Sequence, residues 1–395
     1  MAREIKDTIN IGVKNNTSFT QNVNLLGGTA DPLGVPPSLL YQWDLSNETF
    51  SGTVTAKITV STTSNPTPIT YTVQVTQLNV SGVAYALNTL NIGVFQVSGN
   101  IIYVSNDFYI YGSLFVSGIY ILGTTQPTPY GITIDSSGNV YTANITTITK
   151  ITPSGVSSTF YTFLAGQDCY NLTIDSFDNI YASCQTADIV LKINPSGSSA
   201  TFGTTGSLPR GIIIDSSFNV YVANYGSSNV TKIDSNGNST ILGTTNGFPS
   251  DVTIDSAGNV YACNNNTFDI NKITPSGVST TFATTGASPE AIEIDSAGNL
   301  YTANYGSNNV SKITPLGVST ILGTTEAQPS SITIDSSNNV YTCNRNANSV
   351  TKLTPNGVAT NFNIIGTQPL GITIDPYNNL YTSNNGSNNV TIIIQ

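Results

Sequence analysis

The chain contains no histidine, and only 9% of its 395 residues are charged, far below the roughly 25% of an average soluble protein. Without histidine there is no Ser-His-Asp or Cys-His pair, and no Gly-rich phosphate loop is present either. The 12 Lys and Arg set against 22 Asp and Glu leave a net charge of -10, so no basic stripe can follow a phosphate backbone and nucleic acid is not an expected partner. Residues 1 to 12, MAREIKDTINIG, lack the apolar core of a secretory signal. Nowhere does an apolar run approach the ~18 residues of a membrane span. Cysteine is scarce: Cys169, Cys184, Cys263 and Cys343 have no C-x-x-C spacing, and the first 168 residues have none. Cys263 and Cys343 follow a repeated Tyr by two residues, where sibling segments carry Ala143, Ala223 and Ala303. Buried thiols in an alanine-sized site are the expectation, with a disulfide or metal role as the alternative.

What the chain has instead is repetition. An aspartate recurs every 40 residues as Asp135, Asp175, Asp215, Asp255, Asp295, Asp335 and Asp375, followed six residues later by Tyr141, Tyr181, Tyr221, Tyr261, Tyr301, Tyr341 and Tyr381. Within one unit, AIEID, NLYTAN, NVSKIT and VSTIL read as four short strands separated by turn signals. Such a period built from β-type runs predicts propeller blades, giving an all-β, seven-bladed β-propeller. In D-S-x-G-N the aspartate is expected to cap the hairpin, a structural role rather than a metal ring, while Gly or Asn takes the positive φ. The seventh unit ends after its third strand at NNVTIIIQ, leaving an edge open. Val116 to Leu122, VSGIYIL, matches the missing fourth strand and is expected to close the ring.

Residues 1–75 read as a smaller, mostly β N-terminal domain, with INIGVKN, QNVNLLG, SGTVTAKITVST and ITYTVQVT alternating in polarity. Residues 76–115 read as a connector: a short helix over Asn79 to Asn91, then a hairpin around Ser98, Gly99 and Asn100 that is alternatively a decayed eighth repeat. Residues 116–395 form the propeller.

The pattern P-x-G-I-x-I-D-S-x-G-N-V-Y-x-A-N, followed by N-V-x-K-I-T-P-x-G, resembles the NHL-repeat propellers and the related streptogramin lyase family. This resemblance implies a seven-bladed fold, not a function, because such propellers serve as scaffolds, binders and enzymes. Two departures stand out: the acidic residue usual after Y-x-A is Asn144, Asn224 or Asn304, and the histidine base expected of such a lyase or lactonase is missing. A carboxylate-rich metal site is not visible either, so neither catalytic residues, cofactor nor metal are expected.

One propeller face should carry the invariant turns, and the other the loops that vary. The most variable position follows the repeated Pro: Tyr130, Tyr170, Arg210, Ser250, Glu290, Ser330 and Leu370 are the candidate ligand- or partner-binding residues at the channel mouth. Lys150, Lys192, Lys232, Lys272, Lys312 and Lys352 recur on third strands and read as solvated edge residues. The Asn-Thr texture of the N-terminal third weakly resembles bacteriophage or large-virus particle proteins. The expectation is therefore a non-enzymatic virion protein, whose N-terminal third docks to other particle proteins and whose propeller displays a surface for a host protein or glycan. The alternative is a propeller enzyme of lactonase or lyase type, or a cellular binding scaffold.

Overall fold

The structure, a computed structural model, describes residues 118–394 with their side chains and, before them, the backbone of eight strands. Four of these, Thr8–Asn15, Thr17–Asn24, Val54–Thr62 and Asn65–Val75, form one antiparallel sheet in which the first strand lies between the second and third. Asn91–Ile92, Phe95–Ser98, Ile101–Val104 and Phe108–Ile110 form a second, consecutive antiparallel sheet; Gly99 and Asn100, between its paired middle strands, lie outside the described residues. The helix expected over Asn79 to Asn91 lies, up to Leu90, outside the described residues. The chain divides into two compact units, one of Met1–Gly118 with Ile394–Gln395 and the other running Ile119–Ile393.

The second unit is a seven-bladed propeller of four-stranded antiparallel sheets. Blade 5 stands for the rest: Pro289–Ile294 is innermost, then Leu300–Asn304, Asn309–Ile313 and, outermost, Ser319–Thr324. The second strand is buried along its whole length, while Ser319–Thr324 is half exposed. This gradient explains the sequence, because a strand covered on both faces admits Leu, Tyr, Thr, Ala and Asn but no charge. Clusters form between blades, not within them. Tyr301, Ala303 and Val310 of blade 5 pack against Ile332, Val340 and Leu353 of blade 6. Each fully buried Ile or Leu stabilises the fold by roughly 1.5–3 kcal/mol, so a single blade cannot bury its faces alone.

Blade 7 is composite: Pro369–Ile374, Leu380–Asn384 and Asn389–Ile394 are completed by Gly118–Thr124 from the other end of the chain. Ile119 packs on the cluster that joins blades 6 and 7, and Leu122 is buried. Of the expected closing strand, Val116 to Leu122, residues 118–122 lie in this strand, which continues to Thr124, and Val116 and Ser117 lie outside the described residues.

Every hairpin aspartate caps its own turn. In blade 6, Asp335 Oδ1 accepts from the Ser337 and Asn339 amides at 2.9 and 2.8 Å, and Oδ2 accepts from Asn339 Nδ2 at 2.7 Å and the Tyr341 hydroxyl at 2.9 Å. Asp135, Asp175, Asp215, Asp255, Asp295 and Asp375 each accept the equivalent amide and tyrosine bonds. Burial acts to raise the Asp255, Asp295 and Asp335 carboxyls, but these donors outweigh it and hold them below the ordinary value. Lys150, Lys192, Lys232, Lys272, Lys312 and Lys352 lie 5.1 to 5.6 Å from the centres of the paired tyrosine rings, so their ammonium groups cover aromatic faces as well as strand edges.

Candidate functional site

At one end of the channel the loops surround a cavity of about 650 Å³. Tyr130, Tyr170, Arg210, Ser250, Glu290, Ser330 and Leu370 all line it. A repeated irregularity aims them there. In blades 4 to 7 the pairing of the two inner strands shifts by one residue immediately after the Pro, as between Pro289 and Ala291, so the variable residue is the extra one in a bulge. Blades 2 and 3 shift at the same place, around Tyr170 and around Arg210 and Gly211.

A second ring, on the varying loops between second and third strands and with residues not singled out from the sequence, follows the repeated Asn: Gln185, Tyr305 and Arg345 line the same cavity, and Tyr225 and Asn265 touch its lining residues. Its signal was present, because the position also varies every 40 residues: Ile145, Gln185, Tyr225, Asn265, Tyr305, Arg345 and Asn385. An asparagine ladder beneath holds this ring. Asn384 Nδ2 donates to Asn389 Oδ1 and Thr391 Oγ1, both at 2.8 Å, tying the loop to the third strand. Blades 3 to 6 repeat the arrangement from Asn224, Asn264, Asn304 and Asn344.

Blade 2 departs from it. Cys184 replaces the asparagine and forms a disulfide with Cys169, a pairing that the cysteine spacing did not reveal. The bond ties the inner strand to its neighbour directly beside Tyr170 and Gln185. Cys263 and Cys343 are free and fully buried, and burial pushes the Cys343 thiol up to about 12.

The cavity is chemically divided. On blades 1 and 2, the rings of Tyr130 and Tyr170 meet edge to face at 4.9 Å, with Leu370 and Ile132 also in the wall. On blades 3 to 5, Arg210 lies 3.7 Å from the Tyr225 ring centre and pairs with Glu290 at 3.8 Å, while Asn265 Nδ2 donates to Glu290 at 2.9 Å. Burial raises the Glu290 carboxyl, and Arg210, Asn265 and Arg345 act against that. One step along the innermost strands from Ser250 lies Asp251, whose Oδ2 accepts from the Ile292 amide at 3.1 Å. Burial pushes Asp251 up to about 7, against the pull of the Ile292 and Val252 amides and with the help of Glu290. Glu293, farther along the neighbouring inner strand, is likewise pushed up to about 7 by burial and by Asp251. Neither carboxylate was singled out from the sequence, where each occurs once amid seven repeating aspartates. Among the described residues, no three His, Cys, Asp or Glu side chains come together in a set that could hold a metal ion.

A closed seven-bladed propeller, with titratable carboxylates and aromatic rings at one channel mouth, is the kind of scaffold that holds a small molecule for binding or chemistry. Residues 118–393 match the Virginiamycin B lyase family, and the chain belongs to it. In fold it is similar to a streptogramin B lyase structure, with a TM-score of 0.64 and 17% identity over 70% of this chain and 96% of that one. It is also similar to virginiamycin B lyase from Staphylococcus aureus, with a TM-score of 0.63 and 21% identity over 70% and 98% of the two chains. A catalytically inactive histidine-to-alanine variant of the S. aureus lyase, solved with quinupristin, gives 0.62 and 22% over the same shares. No curated protein matches the sequence.

Membership of a family of lyases overturns the expectation of a non-enzymatic protein. It favours the alternative, a propeller enzyme of lyase type, and neither the fold nor the comparisons lend support to a place on a virus particle.

Proposed function

We propose that this protein is a lyase that binds a small molecule at the channel mouth and breaks a carbon–oxygen bond by elimination, with Asp251 as the general base. The observation that carries the reading is a cavity-lining carboxyl whose pKa is pushed up to about 7. A base works best when its pKa lies near the working pH, and enzymes reach that condition with carboxylates by burial. The S. aureus lyase named above is inactive when one histidine becomes alanine, whereas this chain has no histidine, so proton transfer at its mouth falls to another group. Asp251 takes the proton from the carbon next to the one bearing the leaving oxygen. The freed electron pair forms a carbon–carbon double bond, the carbon–oxygen bond breaks, and the leaving oxygen recovers the proton from Asp251. Tyr130, Tyr170 and Leu370 provide apolar surface to seat the ligand, and Arg210 and Glu290 hold each other in the cavity wall.

The test is turnover of quinupristin by the full chain, followed by mass spectrometry. Elimination within a ring opens it with no change of mass, whereas hydrolysis adds one water. Asp251→Asn should lower kcat by on the order of 100-fold or more with little change in KM. No ring opening, or an Asp251→Asn variant as active as the parent, sinks this reading.

A further inference from the structure

We propose that Arg345 is the anchor for the carboxylate of an aromatic acid, a specificity element that rests on reading the channel mouth as the ligand site. The described propeller residues include two arginines, Arg210 and Arg345, and both line the cavity; the lysines stand on the third strands. Their circumstances differ. Arg210 is fully engaged, stacked on Tyr225 and paired with Glu290. Arg345 is half-buried in the cavity wall, and among the described residues its guanidinium makes no ion pair or hydrogen bond. It acts on Glu290 only from a distance, by lowering its pKa.

The repeat explains the missing partner. In blade 4 the residue after the repeated Asn, Asn265, reaches forward 25 positions to the bulged residue of the next blade and donates to Glu290. The same step from Arg345 leads to Leu370, which has no acceptor to offer. A guanidinium presents five donors in a planar fork that suits a carboxylate, and leaving them unpaired in a partly desolvated wall is unfavourable. The two residues of the mouth ring that follow Leu370 around the channel are Tyr130 and Tyr170, in edge-to-face contact. A ligand with a carboxylate at Arg345 can therefore lay an aromatic ring across Leu370 toward the tyrosine pair. Its remaining portion then faces the side of the cavity that holds Asp251.

Calorimetric titration of the full chain with N-acetylphenylalanine and with its neutral amide tests this. The acid should bind at least tenfold tighter than the amide. Arg345→Gln should remove that preference while leaving amide binding as it was, a loss of about tenfold or more that matches one charge-assisted contact. Leu370→Glu keeps the arginine but gives it the carboxylate that Arg210 already has, and should suppress acid binding equally. Equal affinity for acid and amide, no measurable binding of the acid, or a preference that survives both substitutions would overturn the proposal. Turnover of quinupristin does not enter any of these measurements, so a failure of Asp251 as the base and a failure of Arg345 as the anchor are read separately.

Discussion

Asp251 owes its position to what its neighbours lack. The equivalent inner-strand residues are Gly131, Asn171, Gly211, Ala291, Ser331 and Gly371, and a Cβ at Gly211 would collide with the Asp251 Cα and Oδ1. Glycine there makes room for a carboxylate where two inner strands run close together. Because the folded-state pKa of about 7 lies above the ordinary value of 3.8, the native state holds a proton that the unfolded chain releases between those two values. The stability linked to that proton is fully present below pH ~4 and is lost as pH rises through about 7. Asp251→Asn should therefore be more stable than the parent at pH 8, by roughly 2–4 kcal/mol, with the difference shrinking toward pH 4. Urea melts at the two pH values check this; a gap that does not change with pH would mean that Asp251 is not raised. In the enzyme reading, the parent's activity rises with pH through the same range as the base ionises. A stability gain paired with a loss of turnover would mark Asp251 as a residue kept for chemistry.

At the scale of the blade, the asparagine ladder is built in two versions. In blades 1, 5, 6 and 7 the threonine two residues before the Asn donates to its Oδ1, as Thr302 does to Asn304 at 2.9 Å. Blades 3 and 4 carry Val222 and Ala262 there, and the buried Oδ1 atoms of Asn224 and Asn264 have no partner. Threonine has nearly the shape of valine, so Val222→Thr should supply the missing donor without overpacking and raise stability by about 1 kcal/mol. Thr302→Val, which orphans Asn304 in blade 5, should cost about 1–3 kcal/mol. Denaturant unfolding of the two variants decides it, and a Val222→Thr protein no more stable than the parent would remove the ladder from the account. The four strands of each unit and the turn role of its aspartate could be read from residue order, because periodicity and turn chemistry are local. The bulge after the Pro could not: it depends on the pairing of two strands, and a single strand read alone gives no sign of an extra residue.

For the whole molecule, closure is the decisive event. Gly118–Thr124 pairs beside Asn389–Ile394, so the last blade exists only when residues far apart in the chain meet. Such a contact costs loop-closure entropy, which the partly buried Ile119 and the buried Leu122 side chains help to offset. A chain beginning at Gly123 should lose cooperative unfolding and expose the edge of blade 7, whereas one beginning at Leu114 should melt as a single unit. Calorimetry on the two truncations tests it, and equal melting profiles would count against closure by this strand.

The repeat by itself determined the seven blades, their strand order and the mouth position that follows each Pro, because all of these recur at a fixed spacing that sequence order preserves. Tertiary structure alone decided which non-repeating residues matter. Asp251, Glu293 and Arg345 take their character from burial and from neighbours on other blades, Cys169 meets Cys184 across a strand pair, and Arg210 reaches Glu290 past an intervening blade. A pKa or an unpaired guanidinium is a property of surroundings, and the surroundings come into being only when the ring closes.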